Sequence, residues 1–378
     1  TSSTTCKQSY MYDKSDVKTR RCFGKGVVLD KGTIIKESVA INGNGGGIAS
    51  TLCDVSMSSS ILFNNRAING IGGGIMLATD SSFHSYNSSF KSNTASHSGG
   101  GIACDQCNKI KMKNGNLFTN NLGEMNGGAL YVKNSVSEMF SSDTHFFSNT
   151  AANDGGAVFM EDTTTRNGGG DGTNGGRWKS TNDQLKNNIA VDGSGGGINA
   201  VGTKLIMNGN FQCINNKAMS GGGGCILWEP LAMNSNDILW NTMKPDISLT
   251  NQIKNNNAAY GNNYATTGKM LQVISKGYPC QSVSDGKNDR HTSARSGHQL
   301  YPCPYIKLLD VYHNIIISKY NTNMYCKAIL NQTHNKYNKW LDSTPFSPAT
   351  TTTTTSEIEL KGEIEVLFDN NGHAIFNG

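Results

Sequence analysis

The chain is poor in charge, in proline and in long apolar runs, and each shortage excludes a class of structure. Only 16% of its 378 residues are charged, whereas a coiled coil needs heptads rich in Ala, Glu, Lys and Leu. The longest aliphatic runs, such as 315–317, fall far short of the roughly 18 residues of a membrane span. Seven prolines and no Gly-X-Y period exclude collagen. The composition therefore favours an all-β chain of short strands and tight turns.

Positive charge is neither large nor visibly concentrated. The net charge is +5, from 33 basic and 28 acidic residues, and the basic run that stands out is 18–21. Nucleic-acid-binding proteins concentrate positive charge on one face, so nucleic acid is not an expected partner. Neither Gly-x-Ser-x-Gly nor the phosphate-binding Gly-x-x-x-x-Gly-Lys-Ser/Thr occurs. We therefore expect no cofactor.

Cysteines and sequons indicate an oxidising, extracellular setting. The number of cysteines is even, and two glycosylation sequons begin at Asn87 and Asn331. The sequence thus predicts a secreted or cell-surface glycoprotein. The disulfide candidates are Cys6, Cys22, Cys53, Cys104, Cys107, Cys213, Cys225, Cys280, Cys303 and Cys326.

One pattern recurs along the chain: an apolar residue, an asparagine three positions later, an alanine two beyond it, a polar turn and a Gly-Gly pair. Ser38 occupies the asparagine position of the first copy. From Ser38 onward the intervals are 27, 28, 28, 28, 39, 28 and 40 residues. The two long intervals contain extra segments at 167–176 and 229–245, which we interpret as loops inserted on one face of a solenoid. The repeated asparagines are Asn65, Asn93, Asn121, Asn149, Asn188, Asn216 and Asn256.

This spacing predicts a right-handed parallel β-helix of about eight 28-residue coils over residues 30–268. The Phe/Leu and Ile/Ala positions would point inward, and the asparagines would form a ladder with a step of about 4.8 Å. Glycine would allow a positive φ or a close approach to the next coil. Hairpin turns in an antiparallel barrel are the alternative, but they do not predict nearly equal intervals.

The two linked motifs, such as Phe90…Asn93 followed by Gly100-Gly101-Ile102, resemble the polymorphic membrane protein repeat. That repeat occurs in chlamydial surface proteins and in surface or secreted proteins of protists, including mastigoneme-like proteins of flagellar hairs. The resemblance covers about residues 30–265, with Ser38 and Cys225 as departures. It implies a surface-exposed or extracellular role, adhesive or structural.

The two ends lie outside the repeat. Residues 1–29 would cap the open strand edge, stapled by a Cys6–Cys22 bridge unless Cys53 takes one of these cysteines. Residues 269–378 look like an immunoglobulin-like β-sandwich that begins near 296–314, with His313 where glycine is usual. Its last strands would lie beyond Gly378 or come from a neighbouring subunit. An Asn-Gly turn at 371–372 predicts a hairpin between 364–368 and 373–376.

Candidate catalytic groups are sparse. Glu124, Asp154 and Asp192 follow their asparagines by 3, 5 and 4 residues, which favours solvated turns over a sugar or cation site. Cys104 and Cys107 have zinc-like spacing with His84 and His97 nearby, but without a second Cys pair a disulfide or free thiols are favoured. Cys213 and Cys225 are expected to be packing or disulfide residues.

The sequence therefore predicts a non-enzymatic extracellular protein with a structural or adhesive role, a building block of a surface filament, flagellar hair or coat. Its expected partners are copies of itself, other surface subunits and glycans. The alternative is a carbohydrate-binding or carbohydrate-cleaving β-helix with its site near the two inserted loops.

Overall fold

The structure is a computed structural model that describes residues 26–134, 138–162, 176–230, 237–248, 252–268, 270–274, 305–316, 325–327, 365–367 and 373–375. These residues divide into two compact units. The first unit holds the described residues up to 268 together with 310–316, and the second holds the others.

The first unit is a parallel β-solenoid. Each rung contains four strands, and each strand pairs in parallel with its equivalents in the neighbouring rungs. The first four rungs consist of β1 (Val27–Leu29), β2 (Ile34–Lys36), β3 (Val39–Ile41), β4 (Ile48–Thr51), β5 (Val55–Ser58), β6 (Ile61–Phe63), β7 (Arg66–Ile68), β8 (Ile75–Ala78), β9 (Ser82–Tyr86), β10 (Ser89–Lys91), β11 (Thr94–Ala95), β12 (Ile102–Asp105), β13 (Lys109–Lys113), β14 (Leu117–Thr119), β15 (Leu122–Gly123) and β16 (Leu130–Lys133).

The remaining rungs continue the same order. They consist of β17 (Met139–Ser142), β18 (His145–Phe147), β19 (Thr150–Ala151), β20 (Val158–Glu161), β21 (Gly176–Thr181), β22 (Gln184–Lys186), β23 (Ile189–Ala190), β24 (Ile198–Val201), β25 (Thr203–Asn208), β26 (Gln212–Ile214), β27 (Lys217–Gly222), β28 (Ile226–Glu229), the helix α1 (Asp237–Met243), β29 (Asp246–Ile247), β30 (Gln252–Lys254), β31 (Asn257–Tyr260) and β32 (Tyr264–Ala265).

Four parallel eight-stranded sheets result, so the chain makes seven turns between the first and the eighth rung. Residues 28 apart face each other, as with Phe90 and Phe118. The all-β prediction and the parallel coil of about 28 residues are therefore confirmed. The right hand of the coil stays a prediction.

Apolar side chains fill the interior in columns. One column runs along the second sheet, and its Phe90 and Phe118 rings stack with centroids 4.5 Å apart. Stacking equal residues in this way buries large apolar side chains without gaps. The fully buried members of this column are Leu62, Phe90, Phe118, Phe146, Leu185 and Cys213.

The predicted Ile/Ala position is in fact two positions. Ile102 pairs with Leu130, and Leu130 pairs with Val158. The alanines that follow Gly-Gly in the third and fourth full copies, Ala129 and Ala157, therefore lie one place earlier, in the position of a glycine. Both alanines are fully buried.

The repeated asparagines form a ladder at the corner between the second and third strands. In each rung the Oδ1 atom accepts two hydrogen bonds from the asparagine of the preceding rung, one from its backbone N–H and one from its Nδ2. For Asn121 these bonds come from Asn93 at 3.0 and 3.1 Å. The Nδ2 of Asn121 also donates to the carbonyl of Phe90 at 3.0 Å. The pattern runs from Ser38, which donates its backbone N–H to Asn65, to Asn256.

A residue with a left-handed backbone conformation precedes every member of this ladder. Its φ lies between 53° and 58° in all eight rungs. One such residue turns the chain sharply, and asparagine tolerates this conformation better than most residues. The eight residues are Glu37, Asn64, Ser92, Asn120, Ser148, Asn187, Asn215 and Asn255.

Glycines meet two separate requirements at the next corner. Gly99 has a φ of 72°, which favours glycine. A Cβ atom on Gly100 would lie only 2.5 Å from the carbonyl oxygen of Gly128 in the next rung. The repeated glycines thus permit both the turn and the close stacking of coils.

The two extra segments enter at the same corner, between the fourth strand of one rung and the first strand of the next. The first follows β20, and its residues 163–175 lie outside the described part. The second follows β28 and was expected to be a loop, but it contains the helix α1. Trp240 of this helix packs against Trp228, with ring centroids 5.6 Å apart.

Part of the segment predicted to open the sandwich belongs to the solenoid unit instead. Residues 310–316 lie beside the last rung, and the buried Asp310 accepts hydrogen bonds from the backbone N–H groups of Tyr312 and Asn314 at 2.8 Å. His313 has a φ of 62°, the conformation that explains why glycine is usual there. The hydroxyl of Tyr312 accepts a hydrogen bond from the indole of Trp228 at 2.9 Å.

The second unit contains antiparallel strands. These are β33 (Met270–Ile274), β34 (Tyr305–Leu309), β35 (Tyr325–Lys327), β36 (Glu365–Leu367) and β37 (His373–Ile375). Within the described residues β37 pairs with β34 and β36 pairs with β35. No pairing between β36 and β37 is found among these residues, and the turn of the predicted hairpin lies outside the described part. The immunoglobulin-like module stays a prediction.

Asn149→Ala tests the asparagine ladder. Asn121 would lose an acceptor for both its backbone N–H and its Nδ2, and the carbonyl of Phe118 would lose a donor. Buried polar groups without partners are costly, so we expect the free energy of unfolding to fall by about 3 kcal/mol or more. Chemical denaturation measures the change. The control is Asn153→Ala, an exposed position at the next corner of the same rung, for which a comparable loss would contradict the argument.

Candidate functional site

The three predicted acids have different environments. Glu124 and Asp192 are exposed, as the solvated-turn interpretation predicts. Asp154 is partly buried: burial raises its pKa, although hydrogen bonds from the backbone of Ser194 and the side chain of Asn199 oppose the rise. No group of three or more His, Cys, Asp or Glu side chains in the described ranges converges as a metal site requires.

Asp154 belongs to a second ladder, at the corner between the third and fourth strands. Its Oδ1 accepts the backbone N–H of Ser194 at 2.7 Å. Its own N–H donates to the Oδ1 of Asn126 at 3.1 Å, and the N–H of Asn126 donates to Ser98 at 3.3 Å. The carboxylate is therefore engaged in joining rungs.

The described cysteines of the solenoid form disulfides. Cys104 and Cys107 are bonded with Cα atoms 5.6 Å apart, so their sulfurs do not serve as zinc ligands. Cys213 and Cys225 are bonded with Cα atoms 6.0 Å apart, and Cys53 is also disulfide-bonded. Cys326 lies in β35. The remaining candidates, Cys6, Cys22, Cys280 and Cys303, lie outside the described residues.

The other predicted positions are placed as follows. Asn87 is an exposed corner residue with a φ of 46°, so its side chain is accessible for glycosylation. Asn331 lies outside the described residues. His84 is exposed on the outer face of β9, and His97 is exposed in the turn after β11.

A row of lysines on the outer face of the first sheet was not recognised in the sequence. Lys109, Lys111 and Lys113 alternate along β13 with the buried Ile110 and Met112. The alternation of Lys with apolar residues at 109–113 is the signal that could have revealed it, because alternate residues of a strand share a face. We call these three residues the lysine row.

The lysine row carries unneutralised positive charge. None of its members forms a salt bridge within the described part of the chain. The pKa of Lys111 is lowered, first by the charge of Lys109 and also by that of Lys113. Towards the next rungs the charge is balanced, because Lys179 forms a salt bridge with Glu138 at 3.0 Å.

Phe140 separates the lysine row from this ion pair. It pairs with Lys111 on one side and with Lys179 on the other. The two ammonium groups lie 6.0 and 5.5 Å from its ring centroid, within the range of cation–π attraction. Both neighbours of the ring are thus lysine side chains.

A shallow groove of about 340 Å³ adjoins the lysine row on its other side. Ser56 and Ser58 form its floor, because these small residues lie between larger side chains of the rungs before and after. His84 and Tyr86 form the wall next to the lysines, and Asp30 lines the opposite side. We call this feature the tyrosine groove.

A third ladder contains a fully buried carboxylate. At the corner between the first and second strands, Ser60 donates its N–H to Ser88, Ser88 donates to Asn116, and Thr144 donates to Asp183 at 2.7 Å. Asp183 also accepts hydrogen bonds from the hydroxyls of Ser141 and Ser180. Burial raises the pKa of Asp183 to about 7, although these hydrogen bonds oppose the rise.

The pKa of Asp183 predicts a pH-dependent stability. A folded value of about 7 against an ordinary 3.8 means that the folded protein binds this proton more tightly than the unfolded chain does. The stabilisation is complete below pH 3.8 and is lost as the pH rises through about 7, a difference of about 4 kcal/mol. Asp183→Asn should remove this decline, since an amide can bond Thr144 and donate to both serines.

Urea denaturation between pH 4 and pH 8 measures the effect. The control is Asp80→Asn, which changes the charge equally at an exposed left-handed corner and should keep the wild-type pH profile. An unchanged profile in Asp183→Asn would exclude this carboxyl as the cause.

The geometry places this chain in the class of disulfide-bonded parallel β-solenoid proteins. Comparison with models of protein families, with curated proteins and with solved structures gives no significant match for this chain. In the described part of the chain, no helix has the length and apolar character needed to cross a bilayer.

Proposed function

We propose that this chain is a non-enzymatic structural protein of an extracellular surface, which assembles with copies of itself and presents the outer faces of its coils for adhesion. This is the role implied by the resemblance to the polymorphic membrane protein repeat of protist surface proteins. Disulfides support an oxidising compartment. A filament, a flagellar hair or a coat is the kind of assembly that such a subunit would build.

The observation that carries the proposal is the use of polar side chains at three corners of the coil. Asparagines, serines and the carboxylates of Asp154 and Asp183 hydrogen-bond a neighbouring rung there. Side chains engaged in this way are groups that a glycosidase would otherwise need free to reach substrate. In this proposal the polar side chains at the corners serve to align the coils.

The first rung supports assembly. Its strands β1 to β4 each pair with the second rung on one side, and no partner on the other side is found among the described strands. Apolar side chains are exposed on the same rung, including Ile34 at 58% and Ile41 at 72%. The cap expected from the residues before 26 lies outside the described part. A strand edge with exposed apolar neighbours is a template for another chain. A second copy could therefore add its own strands there.

Ile34→Lys combined with Ile41→Lys tests this assembly. Both side chains are exposed, so the fold should persist, while two added charges at the edge oppose the approach of another copy. We expect the wild-type protein to associate with rising concentration and the double variant to stay monomeric. Sedimentation velocity measures the mass, and electron microscopy shows whether subunit contacts are regular.

Met219→Lys is the matched control. It adds a charge at an apolar side chain that is 50% exposed on β27, far along the coil from the first rung, and should associate like the wild type. Wild-type protein that stays monomeric, or association that the double variant does not reduce, would contradict self-assembly. Shortening of an acidic polysaccharide by the purified protein would contradict a non-enzymatic role.

A further inference from the structure

The tyrosine groove has the dimensions and chemistry of a ligand site. Its volume of about 340 Å³ lies within the range of about 300–1,000 Å³ that is usual for pockets. Tyr86 remains 48% exposed, and its neighbour in the preceding rung is the small Ser58. One side of the ring is therefore bordered by the open groove, where a flat ligand ring could lie.

The polar groups around this ring differ in kind. The hydroxyls of Ser56 and Ser58 donate and accept hydrogen bonds, and the carboxylate of Asp30 accepts them. Burial, more than the charges of Lys111 and Lys109, lowers the pKa of His84 against an opposing effect of Asp54. The neutral imidazole at pH 7 both donates and accepts. Such a mixture suits a ligand rich in hydroxyl groups.

Positive charge lies on the other side of Tyr86. Lys113 pairs with Tyr86, and Lys111 pairs with His84, so both lysines border the groove. Alternate residues of a parallel strand are about 6.6 Å apart, and Lys109 extends the row by the same step. Anionic groups on a ligand in the groove would meet ammonium groups that no carboxylate of the described chain neutralises.

We propose that the tyrosine groove and the lysine row together bind an acidic polysaccharide, with one sugar ring against Tyr86 and its carboxylate or sulfate groups on the lysines. This deepens the adhesive role proposed above and rests on it, because it names the partner of one outer face. The site spans the first four rungs on the first sheet. It lies on the coils themselves and not on the two inserted segments.

Nucleic acid fits this face less well. Single-stranded nucleic acids bind by stacking successive bases on several open aromatic rings along a basic groove. Here Phe140 has lysine neighbours on both sides, and among the described residues the rings that line the groove are the phenol of Tyr86 and the imidazole of His84.

Binding of defined polymers to the whole chain tests the site. The probes are polygalacturonate for carboxylates, dextran sulfate for sulfates, unmodified dextran as the neutral control and a single-stranded oligonucleotide. Lys111→Ala combined with Lys113→Ala, and separately Tyr86→Ala, should each weaken binding of the preferred acidic polymer by about tenfold or more. Tyr86→Phe should bind like the wild type.

The matched control is Lys217→Ala combined with Lys254→Ala, which removes the same charge from exposed positions on other sheets. We expect less than a threefold change in its affinity. Equal losses in both double variants would reduce the effect to net charge and overturn the site. Equal binding of dextran, tighter binding of the oligonucleotide, or no binding of either acidic polymer would also overturn it.

Sedimentation of the same samples separates this inference from the proposed assembly. An assembling protein that binds neither acidic polymer contradicts the site alone. A monomer that binds polygalacturonate or dextran sulfate through Tyr86 and the lysines contradicts assembly and supports the site. Thermal unfolding of each variant, expected at the wild-type midpoint, verifies that the exposed substitutions leave the fold intact.

Discussion

The structure depends on hydrogen bonds between equivalent side chains in successive rungs. At the corner after the second strand, one asparagine oxygen accepts both a backbone N–H and a side-chain amide from the rung before it. The ladder thus satisfies polar groups that the tight corner would otherwise bury without partners. It also fixes the vertical register of the coils, because an asparagine displaced by one residue would meet neither donor. The apolar columns inside, such as the stacked phenylalanines, require that register to pack.

Polar ladders at three corners are variations on this arrangement. The corner after the second strand uses asparagine in every rung after the first, whereas the other two mix serine, threonine, asparagine and aspartate. The mixed corners contain the partly buried carboxyl of Asp154 and the fully buried carboxyl of Asp183, whose pKa values burial raises. A protonated carboxyl group carries both a hydrogen-bond donor and an acceptor, so in such a position it can join two rungs as well as an amide does. The protonation of these two carboxyl groups is therefore linked to the stacking of the rungs.

The sequence was sufficient to predict the coil, because two linked motifs recur at a long and nearly constant interval. An asparagine every 28 residues followed by glycines predicts a stack, and no information about neighbours in space is needed. The position of Ala129 and Ala157 was misjudged, because Gly-Gly-Ala and Gly-Gly-Ile look alike until strand pairing shows which residues are equivalent. The helix α1 was missed inside a segment that interrupts the period.

The outer faces were harder to predict because no core constrains them. The lysine row was visible only as a period of two within five residues, and its meaning depends on Tyr86 and Ser58 from other rungs. The sequence did not single out Asp183, whose partner Ser141 belongs to the preceding rung. Sequence patterns within one coil are local, whereas these environments combine residues that the winding brings together from different coils.

The fourth corner, between the fourth strand of one rung and the first strand of the next, differs from the other three because it accepts added segments. Both added segments enter there, one of them with a helix of its own, and the rungs on either side keep their pairing. The number of residues at this corner can therefore change without disturbing the pairing of the rungs. A lineage could graft, exchange or delete whole lobes at that place while inheriting the scaffold unchanged, and a protein engineer could display a foreign peptide there for the same reason.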